Sequence, residues 1–124
     1  MKPLTVEEVL YLHYRLMARE GGQHGVRIPD FLASALARPF MQVRERDVYP
    51  TAFDKAGVLM YSLAAAKCFR EGNELTAVAA ALMLLDRSGF KVENVAGLAA
   101  LAFKATGLGW RDFSAWFQRN CVSK

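Results

Sequence analysis

The sequence predicts an all-α domain, a compact bundle of six helices built around two central apolar ones. Three observations carry that prediction. Apolar residues recur at three- and four-residue intervals through most of the chain. Glycine and proline punctuate these stretches at helix-length spacing, and little of the chain alternates as a half-buried strand would. With 124 residues the chain has the length of one domain, taken here to span residues 1–124. At 53% hydrophobic and 23% charged residues it can fill a core of its own, which excludes a disordered segment.

The first helix is expected from about Thr5 to Glu20. Thr5 and Glu8 have the spacing of a capping box, and Val9, Leu12, His13, Leu16 and Met17 form one inward face. Gly21-Gly22 ends it, and residues up to Pro29 read as a loop. Asp30 is placed to cap a second short helix through Arg38, with Phe31, Leu32, Ala35 and Leu36 inward and Pro39 as its stop. Phe40 to Pro50 carries the charged run Arg44-Glu45-Arg46-Asp47 and reads as an exposed loop or short hairpin-like flap.

Thr51 opens a long helix to about Lys67, with Asp54 in the position a capping-box glutamate usually takes. Its residues Ala56, Val58, Leu59, Met60, Leu63, Ala64 and Ala65 are apolar nearly all round, so it belongs at the centre. A short loop from Cys68 to Asn73 leads to a second apolar helix, Glu74 to about Ser88, closed by Gly89. Asn94 caps a fifth helix to Thr106, with Gly107 as its stop. A sixth runs from about Arg111 to Asn120 on an inner face of Phe113, Trp116 and Phe117.

The longest unbroken apolar run, Ala77 to Leu85, is well short of the roughly 18 residues a membrane span requires. The N-terminus lacks the apolar core of a secretory signal. Two cysteines, Cys68 and Cys121, make no disulfide framework, so a reducing cytoplasm is expected. A net charge of +4 permits acidic partners without demanding them. Without a stripe of Lys and Arg, nucleic acid is not an expected partner.

The stretch Lys67-Cys68-Phe69-Arg70-Glu71-Gly72-Asn73-Glu74-Leu75-Thr76-Ala77 carries the most chemistry. It is a tight loop feeding a helix N-terminus, where unpaired N–H groups and the positive end of the helix dipole can receive an anion. A plain helix-to-helix connection with an asparagine cap explains the same residues, and on the residues alone both readings stand.

This stretch resembles the signature loop of the Fic and death-on-curing (Doc) family, whose pattern is His-x-Phe-x-Asp/Glu-x-Asn-Lys-Arg-Thr. Glu7 to His13 is similar to the opening helix of Doc proteins, and Gly21 to Arg27 to the glycine loop that follows it. Leu32 to Pro39 resembles the second helix with its Ala-Arg-Pro end. Tyr49-Pro50 with Phe53 to Ala56 resembles the start of the central helix, and Leu82 to Gly89 the hydrophobic helix that closes on a turn. The resemblance covers most of residues 6 to 90 and implies a Fic/Doc-like bundle.

It also implies roles. The family's histidine is a general base on a target hydroxyl, its acid holds Mg²⁺, its loop amides cradle phosphates and its arginine grips one of them. AMP or phosphate then passes from a nucleotide to a protein side chain, and for Doc-type members to a translation factor. By this resemblance Lys67 stands at the position of the histidine and Glu71 at that of the catalytic, magnesium-holding acid. Gly72, Asn73, Glu74, Leu75 and Thr76 stand at the nucleotide cradle. Phe69, Glu71, Gly72, Asn73, Thr76 and Ala77 keep the pattern, whereas Lys67, Glu74 and Leu75 depart from it.

The departures all weaken nucleotide chemistry. Lysine's reference pKa of about 10.4 leaves roughly one side chain in two thousand as free base at pH 7. A glutamate in the first helical turn occupies the dipole's favourable spot and repels phosphate. Leucine offers no donor, whereas arginine gives a two-pronged grip. The expected reading is a Doc-like protein of toxin–antitoxin type with a degenerate catalytic loop. It would use no cofactor and hold an antitoxin-like or other protein segment in a helical groove. The alternative is an active transferase using Mg-ATP on a protein hydroxyl.

Of the two histidines, His13 is expected to be a buried structural residue and His24 an exposed loop residue. Arg38, Arg44, Arg46 and Arg70 are expected to form a basic rim around the loop if the flap packs there.

Overall fold

The computed structural model describes residues 1–104 and 107–124. Within them lie six α-helices: α1 (Val6–Glu20), α2 (Pro29–Ala37), α3 (Ala52–Ala66), α4 (Asn73–Arg87), α5 (Val95–Phe103) and α6 (Trp110–Asn120). This is the all-α bundle expected of the sequence. A single 3₁₀ turn at Arg38–Phe40 follows α2. The far end of the fifth helix was expected at Thr106, which lies outside the described residues.

Helix α1 starts as its sequence dictates. The Glu8 amide donates to the Thr5 hydroxyl over 3.1 Å, and the Thr5 amide to the Glu8 carboxylate over 2.9 Å. Glu8 also pairs with Arg87, fastening the start of α1 to the end of α4. Helix α2 departs from expectation at its start and on one face, while it ends at Arg38 as expected. Ile28 rather than Asp30 is its N-cap, without any side-chain bond, because Pro29 already occupies the first helical position. Phe31 points outward and is 50% exposed instead of joining the core. Leu32, Ala35 and Leu36 are buried as expected.

The flap is a small antiparallel hairpin, β1 (Gln42–Val43) and β2 (Arg46–Asp47), with Gln42 opposite Asp47 and Val43 opposite Arg46. Lys55 of α3, itself buried, donates to Asp47 over 3.0 Å and to the Tyr49 carbonyl. These bonds hold the base of the hairpin twelve residues before Lys67, about 18 Å along the helix axis at ~1.5 Å per residue. The flap, with Arg44 and Arg46, is therefore tied to the opposite end of α3 from the loop and does not bring them to a basic rim there, whereas Arg38 lies beside Ala65 and Ala66 at the loop end.

Helices α3 and α4 are the centre of the bundle: α3 packs against α2, α4 and α6, and α4 also against α1 and α5. Residues 55 to 60 of α3 are all buried, which requires cover on every side. Gly57 permits the α3–α6 crossing, since a Cβ there would sit 2.6 Å from the Trp110 carbonyl oxygen. Thr51 caps α3 through the Asp54 amide, but the Asp54 carboxylate accepts from the Ser114 hydroxyl of α6 over 2.6 Å instead of returning to the cap.

Two strands that the sequence reading omits, β3 (Phe90–Val92) and β4 (Cys121–Ser123), pair antiparallel and close the chain's end onto the α4–α5 connection. Each is three residues long, too short for its alternation to stand out. None of the described helices is long and apolar enough to cross a membrane.

Candidate functional site

The loop between α3 and α4 is built against a second loop, the one between α1 and α2. Val26 and Phe69 form an antiparallel bridge. The Arg27 amide donates to the Cys68 carbonyl over 2.6 Å, and the Arg70 amide to the Gly25 carbonyl over 3.3 Å. Glu71 adds a side-chain tie: its carboxylate accepts from the Gln23 amide over 2.7 Å. The glycine loop and the signature-like loop thus form one unit, although 41 to 48 residues separate their partners.

Phe69 is the unit's anchor. It is 1% exposed and stacks on the His13 ring, with centroids 3.9 Å apart and planes 10° from parallel. His13 Nε2 donates to the Glu71 carbonyl over 2.8 Å, which assigns the proton to that nitrogen. Burial lowers the His13 pKa, opposed by this backbone bond and assisted by the nearby His24. His13 is thus the buried, satisfied residue expected, and it bears directly on the loop. His24 is exposed and leans on Tyr14, with ring centroids 5.0 Å apart.

Asn73 closes the loop from the other end. Its side-chain oxygen accepts from the Phe69 amide over 3.0 Å, and its side-chain nitrogen donates to the Phe69 carbonyl over 3.1 Å. Asn73 is consequently not the helix cap that the plain reading assumed. Gly72 holds that position in the left-handed region, φ +78°, and no side chain caps α4. Met17 of α1 fills the space where a side chain at residue 72 would stand. The first amides of α4 are left without a side-chain acceptor, which is the electrostatic condition for receiving an anion.

The three positions that depart from the family pattern lie elsewhere on the loop. Lys67 is an exposed, left-handed C-cap of α3, φ +48°, and its carbonyl accepts from Arg27 over 3.4 Å. Glu74 is the second residue of α4 and shares a cleft of about 200 Å³ with Lys67, Tyr61, Ala64, Phe103 and Phe113. No ion pair joins Glu74 to Lys67 among the described residues. Leu75 is partly buried in the same first turn. Thr76 is fully buried, and its hydroxyl has no hydrogen-bond partner among the described residues.

The structure therefore brings all the sequence-selected residues, Lys67, Glu71, Gly72, Asn73, Glu74, Leu75 and Thr76, to one loop and one helix start. It divides them by what they touch. Cys68 is buried with its thiol pKa raised by burial, so it is no nucleophile at neutral pH. Sequence reasoning passed over two contributors: Gln23, whose backbone meets Glu71, and Arg27, which reaches the Lys67 carbonyl. The available signal was the glycine-rich composition of residues 21 to 25 beside them, but nothing local names their partner.

The loop lies within a stretch of the chain that matches a known family. The family model described as "Fic/DOC family" matches residues 3–85. The chain is 40% identical over 72 residues to the protein named Toxin Doc from Mycolicibacterium smegmatis. That match takes in 58% of this chain and 55% of the relative, so the chain spans about half of that protein's length.

Proposed function

Because the chain belongs to the Fic/DOC family, we propose that it is a Doc-type protein of toxin–antitoxin kind whose loop holds its shape but has left nucleotide turnover. In this reading it acts by holding a segment of a partner protein in a helical groove. The family's implied group is a magnesium nucleotide, and the donor set fits it poorly. The observation that carries this reading is the start of α4: Glu74 sits second in the helix and Leu75 third, with no cation in that turn. An acid at the positive end of the dipole takes the favourable electrostatic place of a phosphate and repels one. The Glu71 carboxylate, the family's metal-holding acid, is engaged with the Gln23 amide. Lys67, at the position of the family's base, is a solvent-exposed lysine.

The test is transfer from γ- and α-labelled ATP, with the native chain beside the Lys67→His, Glu74→Lys, Leu75→Arg triple variant. The native chain is expected to be inert, and the triple variant to label itself or an added translation factor. Transfer by the native chain that Glu71→Ala abolishes overturns the reading and establishes the transferase instead.

A further inference from the structure

Clefts between the helices differ in whether their charges are already engaged. The groove between α1 and α4 holds Arg15 and Arg19. Arg15 donates to the Tyr11 hydroxyl over 2.9 Å, and Arg19 pairs with Glu20 at 3.5 Å. The hollow beside the hairpin holds Asp47 and Lys55, which are bonded to each other over 3.0 Å. The cleft shared by Lys67 and Glu74 is different. It holds one cation and one anion, and neither side chain has an ion pair among the described residues.

From this contrast we propose that the Lys67–Glu74 cleft binds a free α-amino acid with an apolar side chain. The carboxylate of the ligand meets Lys67, its ammonium meets Glu74, and its side chain lies against Tyr61, Phe103 and Phe113. The proposal rests on the reading above in one respect only, that no nucleotide occupies this cleft.

Charge, walls and size each select this ligand. Two opposite charges that line one cleft without pairing match a small molecule that carries both. Hydrogen bonds to ionised groups are the strong ones, and one at each end fixes the ligand's orientation. The dipole of α4 places about half a positive charge near Glu74, which weakens its pull on an ammonium without cancelling a full carboxylate. Phe113, buried, backs the cleft, while Phe103 is 62% exposed and leaves an aromatic ring for an apolar side chain to cover. The volume of about 200 Å³ lies below the ~300–1,000 Å³ of drug-sized pockets and suits a single amino acid better than a nucleotide. Lys67 also holds φ +48°, a left-handed conformation that glycine adopts at lower cost. Glycine there would bring no cation to the cleft, and backbone strain of this kind gathers at ligand sites.

The ¹⁵N-labelled full chain is titrated with L-phenylalanine and L-leucine, and with N-acetyl-L-phenylalanine and L-phenylalanine amide. The acetyl derivative lacks the ammonium and the amide lacks the carboxylate. The free amino acids are expected to shift the amides of Tyr61, Ala64, Lys67, Glu74 and Phe113. Each blocked derivative should bind about tenfold more weakly than L-phenylalanine. Glu74→Gln should abolish the penalty for acetylation and keep that for amidation, whereas Lys67→Gln should do the reverse. A variant that had only disturbed the fold would weaken all the ligands alike. No shifts from either amino acid, equal binding of the blocked derivatives, or shifts confined to the α1–α4 groove overturn the proposal. Mg-ATP is titrated in parallel. Silence toward both kinds of ligand overturns the amino-acid site and leaves the loss of nucleotide turnover standing, whereas Mg-ATP shifting these amides in place of the amino acids overturns both.

Discussion

Two halves of one loop behave differently. From Phe69 to Asn73 every residue that keeps the family pattern has a structural task. Phe69 stacks on His13, Glu71 holds the Gln23 amide, Gly72 takes a left-handed conformation against Met17, and Asn73 brackets Phe69. Lys67 and Glu74, which depart from it, line a cleft, and their side chains make no hydrogen bond among the described residues. The difference teaches that the loop's shape and the loop's chemistry are separable. Residues with a packing or backbone-bonding task contribute to stability, while Lys67 and Glu74 can be exchanged at little cost to the fold.

This separation makes quantitative expectations. The largest effect is expected at Phe69: Phe69→Ala empties a fully buried site and should cost about 4 kcal/mol, read from urea unfolding midpoints. Gly72→Ala forces a Cβ into Met17 at a positive φ and should cost about 3 kcal/mol by the same measurement. Asn73→Ala removes two bonds and strands the Phe69 amide and carbonyl, for about 2 kcal/mol.

A pH series probes the same anchor. Burial lowers the His13 pKa in the folded state, so the unfolded chain binds the proton more tightly. Stability from this group is complete above the unfolded value of about 6.5 and declines as pH falls through that value toward the lower folded one. The urea midpoint should drop between pH 7.5 and 5.5, and His13→Gln should flatten that drop. An equal slope in the variant would mean that the drop does not come from His13.

The smallest effects belong to the other half. Lys67→His and Glu74→Lys should each move stability by less than about 1 kcal/mol, the second through the helix dipole alone. A cost at Lys67 or Glu74 matching that at Asn73 would erase the distinction between shape and chemistry.

Much of the architecture is legible locally. The Thr5–Glu8 box, the Thr51 cap, the Asn94 cap on the Gly97 amide and the apolar run of α3 each depend on residues within a few positions of one another. Where sequence reading erred, either the choice of helix face or a distant partner decided. Phe31 matches an inward pattern yet turns outward, because its neighbours Leu32, Ala35 and Leu36 supply the buried face. Phe90 to Val92 becomes a strand through pairing with residues about thirty positions away. The candidate site divides in the same way: its residues were identifiable as a loop pattern, but the tasks of Glu71 and Asn73 were not.

By itself the sequence determined that six helices form, which two are central, and that Glu74 and Leu75 open the helix after the glycine turn. Those features follow from neighbouring residues competing for the same backbone bonds and the same helix face. Only the tertiary structure decided that the glycine loop braces the signature-like loop, that His13 supports Phe69, and that Lys67 and Glu74 share a cleft with Phe103. Such contacts join segments tens of residues apart, and only packing of the whole core sets the distance between them.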